Sequence, residues 1–294
     1  MSATGPDLHG RVCLVTGATS GIGRVTAEEL AGMGATTLLV ARDAERGERA
    51  RRQIAATTGN QRLHVLLADL AAQAQVRRLA EQVRDRADRL HVLVNNAGLV
   101  LYRRRATEDG LEWTFAVNHL APFLLTNLLL DLLRASAPSR VVTVTSGAQA
   151  LGRIDFEDLQ GERRYRGQRA YNQSKLANVM FTYELARRTE GTGVTATCVH
   201  PGVVRTSFGS GGPPLYRVLT PLARPFMKGP GQGADTVVWL ASSPEVEGVN
   251  GRYFTRRRAI RSSKRSYDQD AARRLWEVSE RLTGLLDQEK GERQ

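Results

Sequence analysis

Short β-branched runs alternate with longer amphipathic segments along nearly the whole chain, which leaves few ways for it to fold. Candidate strands occupy 12–16, 36–41, 63–68, 92–95, 140–145, 194–200 and 252–254. Between them, stretches such as 22–33, 44–57 and 73–87 repeat apolar residues at three- and four-residue steps, the period of a helix packed along one face. This alternation argues for an α/β fold, a parallel sheet with helices on both faces. Right-handed crossovers restrict the topology further, and the doubly wound sheet is the commonest outcome. No repeat of fixed period and no low-complexity linker interrupts the 294 residues, so a single domain is expected.

Composition narrows the class. The apolar fraction of 41% rises to nearly half once the 28 glycines are counted, as in ordinary packed proteins. A chain this long buries a large single core, and extensive disorder is excluded. Cys13 and Cys198 are the only cysteines, and each lies in an apolar run. That excludes a disulfide scaffold, and both are expected as reduced core residues. His9, His64, His91, His119 and His200 lack metal-ligand spacing, so no metal site is expected. The most apolar stretch, 120–133, contains Pro122, Asn127 and Asp131 and falls short of the ~18 apolar residues of a membrane span. Residues 1–10 lack the basic and apolar regions of a secretory signal. A cytoplasmic protein is expected.

The chain carries 42 Lys and Arg against 30 Asp and Glu, a net charge of +12. Positive charge concentrates at Arg103, Arg104 and Arg105 and over 252–265, which holds seven basic residues and no acid. Neither segment interleaves aromatics for base stacking or matches a nucleic-acid module. Solvated arginine is the simpler reading, with a nucleic-acid or membrane-surface binder as a rival.

The first strand runs into Gly17, Ala18, Thr19, Ser20, Gly21, Ile22 and Gly23 and then directly into a helix. Glycines permit a tight turn and close backbone approach, and a helix N-terminus offers free N–H groups to a pyrophosphate. Following the first strand of an alternating pattern, this favours a Rossmann-type nucleotide site over a plain turn. The second strand ends at Arg42 and Asp43, where an arginine suits a 2′-phosphate and an acid suits the ribose 2′-hydroxyl. Arg42 favours NADP(H), with NAD(H) as the alternative and Asp43 as either selector or helix cap. Asp69 and Leu70 end the third strand, and Asn95, Asn96, Ala97 and Gly98 the fourth, at the sheet edge where ligands bind. A helix cap and a strand-ending turn are the structural alternatives there.

Tyr171 and Lys175 stand four residues apart and share a helix face. A Lys cation about 4 Å away, at an effective dielectric of about 20, stabilises a phenolate by at most about 4 kcal/mol, or roughly 3 pKa units. The phenol then approaches the range of useful acid–base catalysis. Ser146 ends the fifth strand, where its hydroxyl can bond a substrate carbonyl. Asn118 sits inside a helical run, where Asn is a poor helix former. Either a functional amide or a buried amide bonded to backbone accounts for it.

Together, Gly17-x-x-x-Gly21-Ile22-Gly23, Asn95-Asn96-Ala97-Gly98, Asn118, Ser146, Tyr171-x-x-x-Lys175 and His200-Pro201-Gly202 resemble the short-chain dehydrogenase/reductase family. The resemblance runs over 10–254 in the family's order, which becomes the expected dinucleotide-binding catalytic core, with a basic segment and C-terminal helix over 255–294. It implies Tyr171 as acid/base, Lys175 as ribose ligand and pKa modifier, Ser146 as carbonyl ligand and Asn118 as anchor of a proton-relay water. It also implies Pro201, Gly202 and Val203 near the nicotinamide and Asp69 near the adenine. Leu151 to Gly161, Tyr171 to Asn178, Ala271 to Glu277 and the Ala41-Arg42-Asp43 selector further resemble the retinol dehydrogenase branch. The N-terminal membrane anchor of that branch's animal members is absent from the sequence, so a soluble enzyme is expected.

The resemblance implies an oxidoreductase that interconverts a carbonyl and an alcohol. The rival is a nucleotide-binding regulatory protein with the fold and no turnover. The stretch 206–228 holds Leu215, Tyr216, Val218, Leu219, Leu222 and Phe226 among glycines and prolines, which suits a lid over a hydrophobic aldehyde, ketone or alcohol. The outer face of the 124–133 run offers a surface for a homo-oligomer.

Overall fold

The computed structural model describes residues 6–202 and 229–286. Its strands are β1 (Val12–Thr16), β2 (Thr36–Ala41), β3 (Leu63–Leu67), β4 (Val92–Asn95), β5 (Ser139–Val144), β6 (Val194–Val199), β7 (Arg252–Thr255) and β8 (Arg258–Ile260). They form one sheet in the order β3-β2-β1-β4-β5-β6-β7-β8. The first seven run parallel, and β8 lies antiparallel to β7 with Tyr253 opposite Ile260. The doubly wound Rossmann-type sheet and single domain expected from the alternation are present, and the seven expected strands fall within a residue of their bounds.

The eighth strand was not expected. It follows a turn in which Arg256 and Arg257 have φ of 49° and 56°. Such hairpin turns favour Asn and Gly, so two arginines give no sequence signal. Part of the basic 252–265 segment is therefore sheet edge.

The helices are α1 (Gly21–Gly32), α2 (Ala44–Thr58), α3 (Gln73–Arg86), α4 (Trp113–Phe115), α5 (Ala121–Leu128), α6 (Leu130–Ala135), α7 (Gly167–Arg188), α8 (Pro230–Ser242) and α9 (Gln269–Thr283). A π-helix over Ala116–Leu120 joins α4 to α5. Strand β1 shows how the layers form. Leu14 points into a core with Leu79 of α3, Phe123 of α5 and Phe181 of α7. Cys13 and Val15 point the other way, against Leu30 of α1, Ile54 of α2 and Val237 of α8. Alternate residues thus face opposite layers, and both faces are dry. Cys13 and Cys198 are free and buried, and desolvation pushes both thiols up to about 12.

Helix α9 begins where the Asp268 carboxylate accepts from Ala271 N and ends at Gly284, with φ of 64°. Its buried stripe is Ala272, Leu275, Trp276, Ser279 and Thr283, while Val278 and Leu282 lie at its margins. Trp276 packs at 4.9 Å from the ring of Phe123 and 5.7 Å from that of Phe181. Among the described residues no helix is long and apolar enough to cross a membrane. Val203 and the expected lid 206–228 lie outside the described residues.

Trp276→Ala is expected to destabilise the fold by about 3–5 kcal/mol, the usual cost of emptying an aromatic core site. The urea midpoint measures it.

Candidate active site

At the carboxyl end of the sheet, β2 and β3 lie on one side of β1 and β4 through β8 on the other. The crossovers diverge here, which opens a crevice at the strand tips. The resulting groove has a volume of about 1310 Å³ and runs from Arg42 past Gly17 and Tyr171 to Pro230. Gly17, Thr19, Ser20, Gly21, Ile22 and Gly23 form its central wall.

Backbone packing there requires glycine. Gly17 has φ of 67°. A Cβ on Gly23 would lie 2.3 Å from Asn96 Nδ2 and 2.4 Å from Gly17 O. No side chain caps α1 at Ser20, so its first-turn N–H groups are left to a ligand. An uncapped helix start beside a cradle that a Cβ would fill is the arrangement a pyrophosphate needs. Asn96 braces the turn, donating from Nδ2 to Thr16 O at 2.8 Å.

Arg42 lines the groove beyond β2, together with Asp43 and Arg46. Asp43 Oδ1 accepts from Arg46 N at 2.8 Å, so this carboxylate caps α2. Asp69 and Leu70 border the same end, and Asp69 Oδ1 also accepts from Ala71 N at 3.0 Å. Ala97 and Gly98 lie on the wall. Asn95 does not. Its side chain turns behind β4, where Nδ2 donates to Thr126 Oγ1 at 3.0 Å and Oδ1 is buried without a partner. The last residue of a strand alternates in facing with the next, and here Asn96 takes the groove side.

Helix α7 presents Tyr171 and Lys175 to the groove, opposite Ser146, with Pro201 nearby. Lys175 Nζ lies 5.7 Å from the Tyr171 ring centroid and donates to Val144 O at 3.1 Å. Burial lowers its pKa to about 8. Burial also raises the Tyr171 pKa, against a hydrogen bond with Ser146 that lowers it. The expected downward shift of Tyr171 by Lys175 is thus corrected for the ligand-free protein. Desolvation of the phenol sets the direction, and the opposing contribution comes from Ser146. Tyr171 therefore stands protonated at neutral pH, as an acid.

Asn118 lies in the π-helix, fully buried behind the wall. Its Oδ1 accepts from Leu99 N at 2.8 Å, and its Nδ2 donates to Leu99 O and Ser174 Oγ at 2.9 and 3.0 Å. This geometry is that of the buried amide, the alternative to the functional one. The groove further includes Leu99, Val100, Tyr102, Trp113, Val117 and Gln168, none expected from sequence. Gln168 stands three residues before Tyr171 on one helix, a spacing that could have identified it. Trp113 arrives from a short helix with no readable period.

Residues 11–211 match the family model described as short chain dehydrogenase. Human retinol dehydrogenase 14 is 45% identical over 95% of this chain and 88% of its own length. Human retinol dehydrogenase 13 is 42% identical over 95% and 86%. A solved uncharacterized protein from Mycobacterium paratuberculosis superposes with TM-score 0.78 at 36% identity, covering 95% of each chain. The RhlG/NADP complex of Pseudomonas aeruginosa gives 0.68 at 27% identity, covering 84% of this chain and 95% of that one.

The chain has four lysines, so side-chain NMR resolves Lys175 with Lys175→Met as its assignment control. Lys175 is expected to titrate near pH 8. Because burial lowers the folded pKa, the native state is penalised below about pH 8. That penalty lifts as the pH rises from there toward the unfolded value. Titration of Lys175 at the ordinary lysine value of about 10.4 would contradict the desolvation.

Proposed function

The chain belongs to the short chain dehydrogenase family, NAD(P)-dependent oxidoreductases acting on CH–OH groups, and we propose that it uses NADP(H) to interconvert a hydrophobic alcohol and its aldehyde or ketone. The observation that carries the cofactor preference is the division of labour after β2. Asp43 caps α2 through its carboxylate, while Arg42 and Arg46 line the groove beside it. A guanidinium fork matches a 2′-phosphate in shape and charge.

When bound, the nicotinamide dinucleotide supplies or accepts the hydride. The chain's own residues do the rest. The Gly17–Gly23 turn and the α1 N-terminus would hold the pyrophosphate, and Lys175 the nicotinamide ribose. Ser146 orients the substrate oxygen. Tyr171, kept protonated by its burial, donates its phenolic proton to that oxygen in reduction and takes it back in oxidation. Asn118 holds Leu99 and Ser174 in place from behind.

The substrate class rests on the wall beyond Tyr171, where Leu99, Val100, Tyr102, Trp113 and Val117 present mostly apolar surface. Relatives named retinol dehydrogenases support the same class.

A panel of aliphatic and aromatic carbonyl compounds, assayed with NADPH and NADH by absorbance, tests this reading. Arg42→Ala is expected to weaken NADPH by about 1.5–3 kcal/mol, the range for hydrogen bonds to charged groups, and to leave NADH nearly unchanged. Equal weakening of both would remove Arg42 as the selector.

A further inference from the structure

We propose that His119 and Asn178 are positioning residues that tie the C-terminal helix α9 to the turn carrying Asn118, and through it hold the backbone of Leu99 and Tyr171 at the groove. The proposal begins with Pro122. Proline has no N–H, so in a regular helix Asn118 O would lose its donor four residues on. The chain winds instead as a π-helix, with Ala121 N bonded to Ala116 O. The carbonyl of Asn118 is satisfied from outside, by Asn178 Nδ2 of α7 at 2.8 Å.

That bond sets the rest. With Nδ2 on the carbonyl, Asn178 Oδ1 faces His119 Nδ1 at 3.3 Å. An amide oxygen only accepts, so Nδ1 carries the imidazole proton. Nε2 is then the acceptor toward the single hydroxyl proton of Ser279 Oγ of α9 at 3.0 Å, a proton that Leu275 O at 2.8 Å also competes for. The ring is buried against Phe115, with centroids 4.9 Å apart, and burial lowers its pKa to about 4. It stays neutral, in one tautomer, across the working range. Toward the groove, Asn118 bonds both backbone groups of Leu99 and, through Ser174, reaches Tyr171 O, which accepts from Ser174 Oγ at 2.8 Å. Helix α9 lies beyond the 11–211 family match, yet one polar chain links it to the catalytic helix.

The kinetic arm of the test rests on the proposed oxidoreduction, and the exchange arm does not. The variants are His119→Leu, His119→Asn, Asn178→Leu and Ser279→Ala. Each is measured for kcat and KM, for urea midpoint, and for amide exchange around Leu99 and Tyr171 in the cofactor-free protein. Both Leu variants are expected to lower kcat roughly 10- to 100-fold, the scale of sub-ångström misplacement, with KM for NADPH within about threefold. Exchange at Leu99 and Tyr171 should quicken, and His119→Asn, which keeps a donor toward Asn178, should recover most of both effects. Ser279→Ala, a one-hydroxyl change, serves where the Leu variants do not fold, and should also quicken exchange at Leu99. A lowered urea midpoint with unchanged kcat and exchange would overturn the proposal, as would equal damage from His119→Asn and His119→Leu. If the wild type reduces no carbonyl compound, the functional reading fails. Exchange then decides alone, and unchanged exchange at Leu99 in Ser279→Ala overturns the positioning role.

Discussion

The groove depends on a knot between two strand ends. Thr16 Oγ1, at the tip of β1, accepts from Asn96 N at 2.9 Å and Ala97 N at 3.0 Å just past β4. Asn96 returns its amide to Thr16 O. These bonds hold the two strands together at the place where their following helices part to opposite faces. The crevice is thereby open at its mouth and fixed at its floor. Glycine at positions 17 and 23 follows from the same constraint, because Asn96 and the turn backbone occupy the space a Cβ would need.

Burial sets the chemistry. Tyr171 and Lys175 approach each other across the groove wall, but both are removed from water, and desolvation moves each toward its neutral form. A neutral phenol beside a partly discharged amine is suited to giving up a proton when charge develops on a substrate oxygen. A bound nicotinamide cation would add the field that favours the reverse transfer.

Much of this was legible in the chain. Strand bounds followed from β-branched runs, and the glycine turn, Ser146, Tyr171 and Lys175 from their places at strand tips and on one helix face. The burial that reversed the Tyr171 shift was not, since residue spacing gives distance and leaves solvent exposure open. Asn95 and Asn96 could not be told apart because the strand's final facing depends on where its pleat ends. Strand β8 hid behind two arginines in left-handed backbone, and Trp113 reaches the groove by packing that no period announces. Asn118 was visible as an anomaly, but its cause, a π-turn relieved by Asn178, required the fold.

Proton donation by Tyr171 is the central claim, and removing one oxygen tests it most directly. Tyr171→Phe should bind NADPH about as tightly as the wild type, because the ring and its packing remain. Its turnover with any carbonyl compound the wild type reduces should fall by at least ~100-fold, the size of a lost general acid. Turnover within a few-fold of wild type would contradict the account.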